Sequence, residues 1–234
     1  MTTATTRPDV EVEFQLPPDF REILAGASPE QARAAVVERF GPDAVAALPA
    51  LVLEAAVAEY LTASHWLEEA GVFHASACLG LIDGAPTLSS LTLARVNADA
   101  GSPVFGDPET TVAGIIETMG RGPGGATRDA RRYDLPCGPA AVVVESAVGL
   151  VLPAADVGTE SDLPVPVATL QAYVPFPAEV APDQDALLVV TFSTPSIQHW
   201  EVYCPMVADL LRSLRFPAAA APRVRPSTIR NALG

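Results

Sequence analysis

Along this chain the spacing of hydrophobic positions switches between two and about 3.6 residues, and each switch marks a new element. After a flexible-looking start over residues 1–9, "VEVEFQLP" alternates Val10, Val12, Phe14 and Leu16 with acids and Gln15. Strict alternation predicts a strand with one wet face. In "ASPEQARAAVVERFG" the apolar positions take helical spacing. There Ser28 is placed to cap, Pro29 suits the first helical position and Gln31 completes a capping box. A longer helical stretch follows over residues 44–70, with Leu53, Val57, Tyr60, Leu61, Ser64 and Leu67 on one stripe. Pro49 either kinks it or marks its true first turn.

From Val72 the period returns to two. "VFHASACLGLIDGAPTLSSLTLARVNA" predicts two long strands joined at Asp83-Gly84, a favoured hairpin pair. "GDPETTVAGIIETMG" predicts a helix capped by Asp107 with Pro108 in its first position. Beyond a Gly-rich break, "RDARRYDLP" and "PAAVVVESAVGLVLP" predict a second hairpin around Cys137-Gly138-Pro139. "VPVATLQAYVPFP" and "DALLVVTFS" add further strands, and "PSIQHWEVYCPMVADLLRSLRF" a closing helix. Hairpins interleaved with helices predict an α+β fold, a mostly antiparallel sheet covered by helices, as one domain over residues 10–216. Residues 217–234 are dominated by Pro and Ala without a core stripe and read as a tail.

Composition narrows the partners. The chain of 234 residues is 49% apolar and 18% charged, within the range of folded proteins. Its net charge of −14 divides into +3 over residues 217–234 and −17 before them, so the body repels nucleic acids and anionic membranes. Cys78, Cys137 and Cys204 show no CxxC spacing, which predicts free thiols in a reducing compartment. The first residues carry no apolar run of the signal-peptide kind. The most apolar stretch, "AAVVVESAVGLVL", contains Glu145 and falls short of the ~20 residues a membrane helix needs. The expectation is a soluble cytoplasmic protein with no nucleic-acid or membrane partner.

Candidate chemistry is thin. "TFSTPSIQHW" gathers hydroxyls with a histidine: Ser193 or Ser196 as nucleophile and His199 as base would make a hydrolase-like site. No glycines flank the serine as in a nucleophile elbow. The Thr194-Pro195 pair repeats the starts at Ser28-Pro29 and Asp107-Pro108, so helix capping explains it. His74 and Cys78 are four apart on a strand, about 13 Å, too far to share a metal, and no metal site or cofactor is expected. In "GRGPGGATRDARR", Arg121, Arg128, Arg131 and Arg132 make a possible patch for an anion or acidic partner, although the glycines follow a helix rather than opening one. In the tail, Ile229 and Leu233 lie on one side of a helical turn beside Arg223, Arg225 and Arg230. That combination predicts a docking peptide for another protein.

"VEFQLPPDF", the Ala/Leu-rich helix pair, "LQAYVPFPAE" and "LLVVTFSTPS" leading into the closing helix resemble an uncharacterised actinobacterial protein family with a PsbP-like α/β/α sandwich. The resemblance spans residues 10–216. It implies a non-enzymatic scaffold, an accessory factor of a larger assembly or secretion system, and brings no catalytic residues with it. The resulting expectation is a binding or adaptor protein that is not an enzyme. Its alternative is a small-ligand or hydrolase-like site near Ser196/His199 or the Gly120–Arg132 loop.

Overall fold

A computed structural model describes residues 11–47, 49–97, 107–120, 127–154, 160–181 and 186–217. The expected flexible start over residues 1–9 lies outside them, as do Arg121 and the tail residues Arg223, Arg225, Ile229, Arg230 and Leu233.

Among the described residues seven strands form one antiparallel sheet. In chain order they are β1 (Arg21–Ile23), β2 (Val72–Ile82), β3 (Ala85–Asn97), β4 (Thr127–Leu135), β5 (Gly138–Leu152), β6 (Leu163–Pro175) and β7 (Ala186–Thr194). Their spatial order is β1-β2-β3-β7-β6-β5-β4. The helices are α1 (Pro29–Phe40), α2 (Pro42–Ala47), α3 (Ala50–Glu69), α4 (Pro108–Met119) and α5 (Trp200–Ser213), the last preceded by a 3-10 turn at Ile197–His199. The α+β expectation holds.

Local sequence accounts for most boundaries. Ser28 Oγ accepts from the Gln31 amide while the Gln31 side chain accepts from the Ser28 amide, the reciprocal capping box expected there. Asp107 likewise accepts from the Thr110 amide. The β2–β3 hairpin turns at Asp83 (φ 51°) and Gly84 (φ 78°), the doubly left-handed geometry that suits an Asp-Gly pair. The long helical stretch is two helices, α2 and α3, broken at Pro49, whose extended ψ of 139° and missing N–H end the ladder. The residues expected on its stripe face inward: Val57, Ser64 and Leu67 are buried, and Leu53, Tyr60 and Leu61 pack against Ala32 and Val36 of α1.

The first expected strand is corrected. Val12, Phe14 and Leu16 do turn toward the core while Glu11, Glu13 and Gln15 stay exposed. Among its described residues the segment forms one bridge, Glu13 to Arg215 at the exit of α5, with N–O distances of 3.0 and 2.9 Å. The sheet edge belongs instead to three residues of β1, paired with Ala75–Ala77 of β2. The turn Pro17–Phe20 brings the chain onto that edge.

One face of the sheet packs on α5, whose Tyr203, Val207, Leu210 and Leu211 meet Leu91, Leu93, Leu188, Val190 and Phe192 in the main core. Each such side chain contributes about 1.5–3 kcal/mol relative to exposure. Alternation turns Ala141 and Val143 to the opposite face, where α4 lies over β4, β5 and β6. On that same face Leu67 of α3 packs against Val72 and Ala75. Helices therefore cover both faces of the sheet.

Candidate functional site

The stretch Thr191–Trp200 is where a central strand becomes a helix, and Thr194 and Ser196 are engaged in making that turn. Thr194 Oγ1 donates to the Leu88 carbonyl at 2.6 Å and accepts from the Ser196 amide at 3.0 Å. Ser196 Oγ accepts from the Leu88 amide at 3.0 Å. These bonds clamp β3 to the start of the 3-10 turn. The expectation that Thr194 caps the closing helix with Pro195 in its first position is therefore corrected: Thr194 is the last residue of β7, and α5 begins at Trp200 without a side-chain cap.

His199 turns elsewhere. Its Nδ1 pairs with Thr87 Oγ1 at 3.0 Å, and Thr87 Oγ1 shares a 2.7 Å hydrogen bond with the Tyr203 hydroxyl. His199 and Ser196 are connected through the backbone, His199 N to Ser196 O at 3.0 Å, while their side chains engage different partners. Ser193 Oγ lies 3.4 Å from Thr169 Oγ1. Both Ser196 and His199 are buried. A nucleophile–base pair needs mutual contact and access, and these residues have other work.

The arginines after α4 are also engaged. Arg128 holds Glu145 of β5 through its Nε at 2.7 Å and through Nη2, and reaches the last carbonyl of α4, Met119, at 3.3 Å. Arg132 bridges Asp134 at 2.7 Å and Glu109 of α4 at 2.6 Å. Arg131 pairs with Asp129 at 2.9 Å. Neighbouring carboxylates hold Arg131 and Arg132 more firmly protonated than usual. Alternation along β4 sends Arg128 and Arg132 to the α4 face and Arg131 to the other. The structure thus ties these three into ion pairs rather than gathering them around an open anion site.

Among the described residues no group of three or more His, Cys, Asp or Glu is arranged to hold a metal ion. The thiols are all free, and burial raises each above its ordinary pKa, with the charge of Asp19 adding to the effect at Cys78 and Glu201 at Cys204. Such thiols are poor nucleophiles at neutral pH. No described helix is long and apolar enough to cross a membrane.

A concave site does exist, at the sheet edge. Because β1 pairs only with Ala75–Ala77, the outer side of β2 carries no strand over Leu79–Ile82 among the described residues. A cleft of about 960 Å³ runs along it. Ala34, Ala35 and Glu38 of α1 form one wall, and Val202, Tyr203 and Met206 of α5 the other. The floor is β2 from Ala77 to Ile82, and Asp19, Arg21 and Glu22 stand at the β1 end. Leu79 is 65% exposed and Leu81 70%. Thr87 and Tyr203, both almost fully buried and joined to His199 by the hydrogen bonds above, are among the residues that line the cleft.

This site was not legible in the sequence. Its walls are α1 and α5, about 170 residues apart, and its opening depends on β1 being three residues long. The one local clue was a long β2 ending in a tight hairpin, whose leucines at 79 and 81 follow the alternation of a strand buried on that side. No protein-family model matches the chain, no curated protein is similar to it, and no solved structure matches it.

Proposed function

We propose that this chain is a non-enzymatic binding or adaptor protein of the cytoplasm, which takes an extended segment of a partner protein at the cleft along β2. The single observation that carries this reading is the outer edge of Leu79–Ile82, which no described strand pairs, lying between two helical walls. A strand edge presents backbone N–H and C=O groups in a row, and proteins normally cover or charge such edges. Among the described residues no strand covers the outer edge of β2 over Leu79–Ile82; Leu79 and Leu81 stand exposed there, Met206 lines the facing wall, and Asp19, Arg21, Glu22 and Glu38 are set around it. Adding a strand would satisfy the backbone row, while the two walls read alternate side chains of the guest. The side-chain engagements of Ser196 and His199 and the raised thiol pKa values favour binding over catalysis. Helices on both faces of an antiparallel sheet are in keeping with a PsbP-like α/β/α sandwich, the finer fold we assign by resemblance, along with a place in a larger assembly.

The test replaces both exposed leucines with lysine, Leu79→Lys and Leu81→Lys, in the full chain. Both side chains are surface-exposed, so the fold tolerates the change, and charges on a strand edge discourage pairing. Affinity capture from native lysate is expected to recover a protein with the wild-type chain and lose most of it with the variant. Equal recovery would remove the cleft from the reading. A small-ligand site is the second reading, favoured by the Thr87–Tyr203 hydroxyls at the cleft wall and by a volume within the usual ligand range. Its sign is a saturable thermal shift with a low-molecular-weight compound that survives the lysine changes.

A further inference from the structure

We propose that the outward face of α3, bounded by Leu51 and Trp66, docks a basic amphipathic helix of another protein. This surface is separate from the cleft along β2, and the inference does not depend on that cleft.

α3 is apolar on two sides. Its inward stripe packs on α1 and on the sheet, with Val57, Ser64 and Leu67 buried. The outward side repeats the spacing: Leu51, Ala55, Ala58, Thr62 and Trp66 recur every three or four residues along one line of the helix. All five are exposed, Leu51 at 81% and Trp66 at 64%. A helix that is apolar on opposite sides is normally buried on both, and the exposure of Leu51 and Trp66 leaves this second side without a cover. The Thr62 hydroxyl donates to the Ala58 carbonyl at 3.0 Å, so the stripe demands no hydrogen bond from a guest. Large side chains stand at its ends and small ones between, over roughly 22 Å at 1.5 Å per residue. Ala55 and Ala58 let a second helix axis approach to about 8 Å, while Leu51 and Trp66 grip it at either end. Tryptophan is among the side chains that most often carry binding energy.

Charge selects the occupant. α3 carries Glu54, Glu59, Glu68 and Glu69 and neither Lys nor Arg. Glu54 and Glu59 flank the stripe on opposite sides, and Glu69 continues it beyond Trp66. Glu54 is bonded by Arg33 of α1, and Glu69 faces His65 at 3.4 Å. No cation among the described residues pairs with Glu59. A guest helix with Lys or Arg beside its apolar stripe supplies the missing cations, and one of them over Trp66 adds a cation–π contact next to Glu69. The −17 of residues 1–216 draws such a helix in from a distance. The same charge repels nucleic acid and anionic lipid. It also disfavours a second copy, because an antiparallel pair centred on the stripe brings the two Glu59 side chains together, with −14 on each chain.

The test titrates the full chain with two synthetic amphipathic helices of about four turns, long enough to span the stripe. Both present the same leucine stripe and lack tryptophan; one is flanked by Lys and Arg, the other by Glu. The basic helix is expected to bind saturably and to shift the protein's tryptophan emission to the blue as Trp66 leaves water. Its affinity is expected to fall as salt rises, and the acidic helix is expected not to bind. Leu51→Gln with Trp66→Gln should weaken binding of the basic helix about tenfold or more. Glu59→Gln with Glu69→Gln should weaken it less and flatten the salt dependence. All four side chains are exposed, so both variants keep the fold, which an unchanged Tm checks. Leu79→Lys with Leu81→Lys should leave binding within about twofold, the range expected when two sites share no contacts. Equal binding by the Leu51/Trp66 variant would overturn the inference and assign the attraction to net charge alone. Equal binding of the acidic helix would overturn the occupant named here. A wild-type dimer in sedimentation that the Leu51/Trp66 variant dissolves would give the face to a second copy, and binding lost with the lysine changes would move the helix to the cleft. Either of these also overturns the proposal.

Discussion

Ser64 ties two segments together with one hydroxyl. Its Oγ accepts from the Ala27 amide at 2.6 Å and donates to the Leu24 carbonyl at 2.6 Å, while the neighbouring Tyr60 hydroxyl accepts from the Leu24 amide at 2.9 Å. The loop between β1 and α1 is thereby pinned to α3, and α1 is set where it walls the cleft. Ser64→Ala would strand a backbone donor and acceptor in a site where the side chain is fully buried. The expected cost is about 1–3 kcal/mol, read as a lower denaturation midpoint with unchanged slope. Thr62→Ala, two residues away, removes only a bond to the Ala58 carbonyl at the surface and should change stability by less than about 0.5 kcal/mol. From sequence, Ser64 could be placed on the buried stripe, because spacing reports orientation. Its partners at Leu24 and Ala27 could not, because they lie 40 and 37 residues away.

The elements differ in how locally they are encoded. Ser28-Pro29 and Asp107-Pro108 are caps, since the groups they satisfy sit three residues on in the same helix. Thr194-Pro195 has the same local form and a different use, because a strand 106 residues away supplies the competing acceptor, the Leu88 carbonyl. The hairpin at Asp83-Gly84 was legible for the reason the caps were. β1 was not: three residues carry no period, and the neighbouring alternation at Val12–Leu16 imitates a sheet strand while packing beside α5. The two kinds of hydroxyl predict different losses. Ser28→Ala should cost about 1 kcal/mol and fray only α1. Thr194→Val, which keeps the shape but removes the bonds to the Leu88 carbonyl and the Ser196 amide, should cost about 1–3 kcal/mol and loosen the β3–β7 junction. Denaturant titration ranks the totals, and amide exchange locates the loosened segment. A reversed ranking would mean that water replaces the Thr194 hydroxyl at both of its backbone partners.

Across the whole molecule, an antiparallel sheet covered by helices could be read from the order of periods, but the strand order that leaves β2 open at one edge could not. The same holds for the acid response. A body of −17 relieves its self-repulsion as carboxylates take up protons, which alone would stabilise the fold toward pH 4. His74 acts in the opposite sense and at higher pH. Its ring is held between the edge of Phe14, with centroids 4.9 Å apart, Ser76 Oγ at 3.3 Å and Glu22 of β1 at 3.6 Å. Burial lowers its pKa below 6.5, and the attraction of Glu22 offsets this only in part. As pH falls through about 6.5 the unfolded chain is therefore protonated first, so stability present above that pH is progressively lost below it. Thermal unfolding from pH 7.5 to 5.5 separates the two effects when wild type is compared with His74→Gln. The variant keeps a hydrogen-bonding side chain and all the carboxylates, so only the histidine's contribution differs. The wild type is expected to lose Tm relative to the variant across this range, with the difference levelling off once the folded-state histidine is itself protonated. Parallel curves would mean that Glu22 compensates the burial fully, and the β1–β2 junction would then be insensitive to pH in this range.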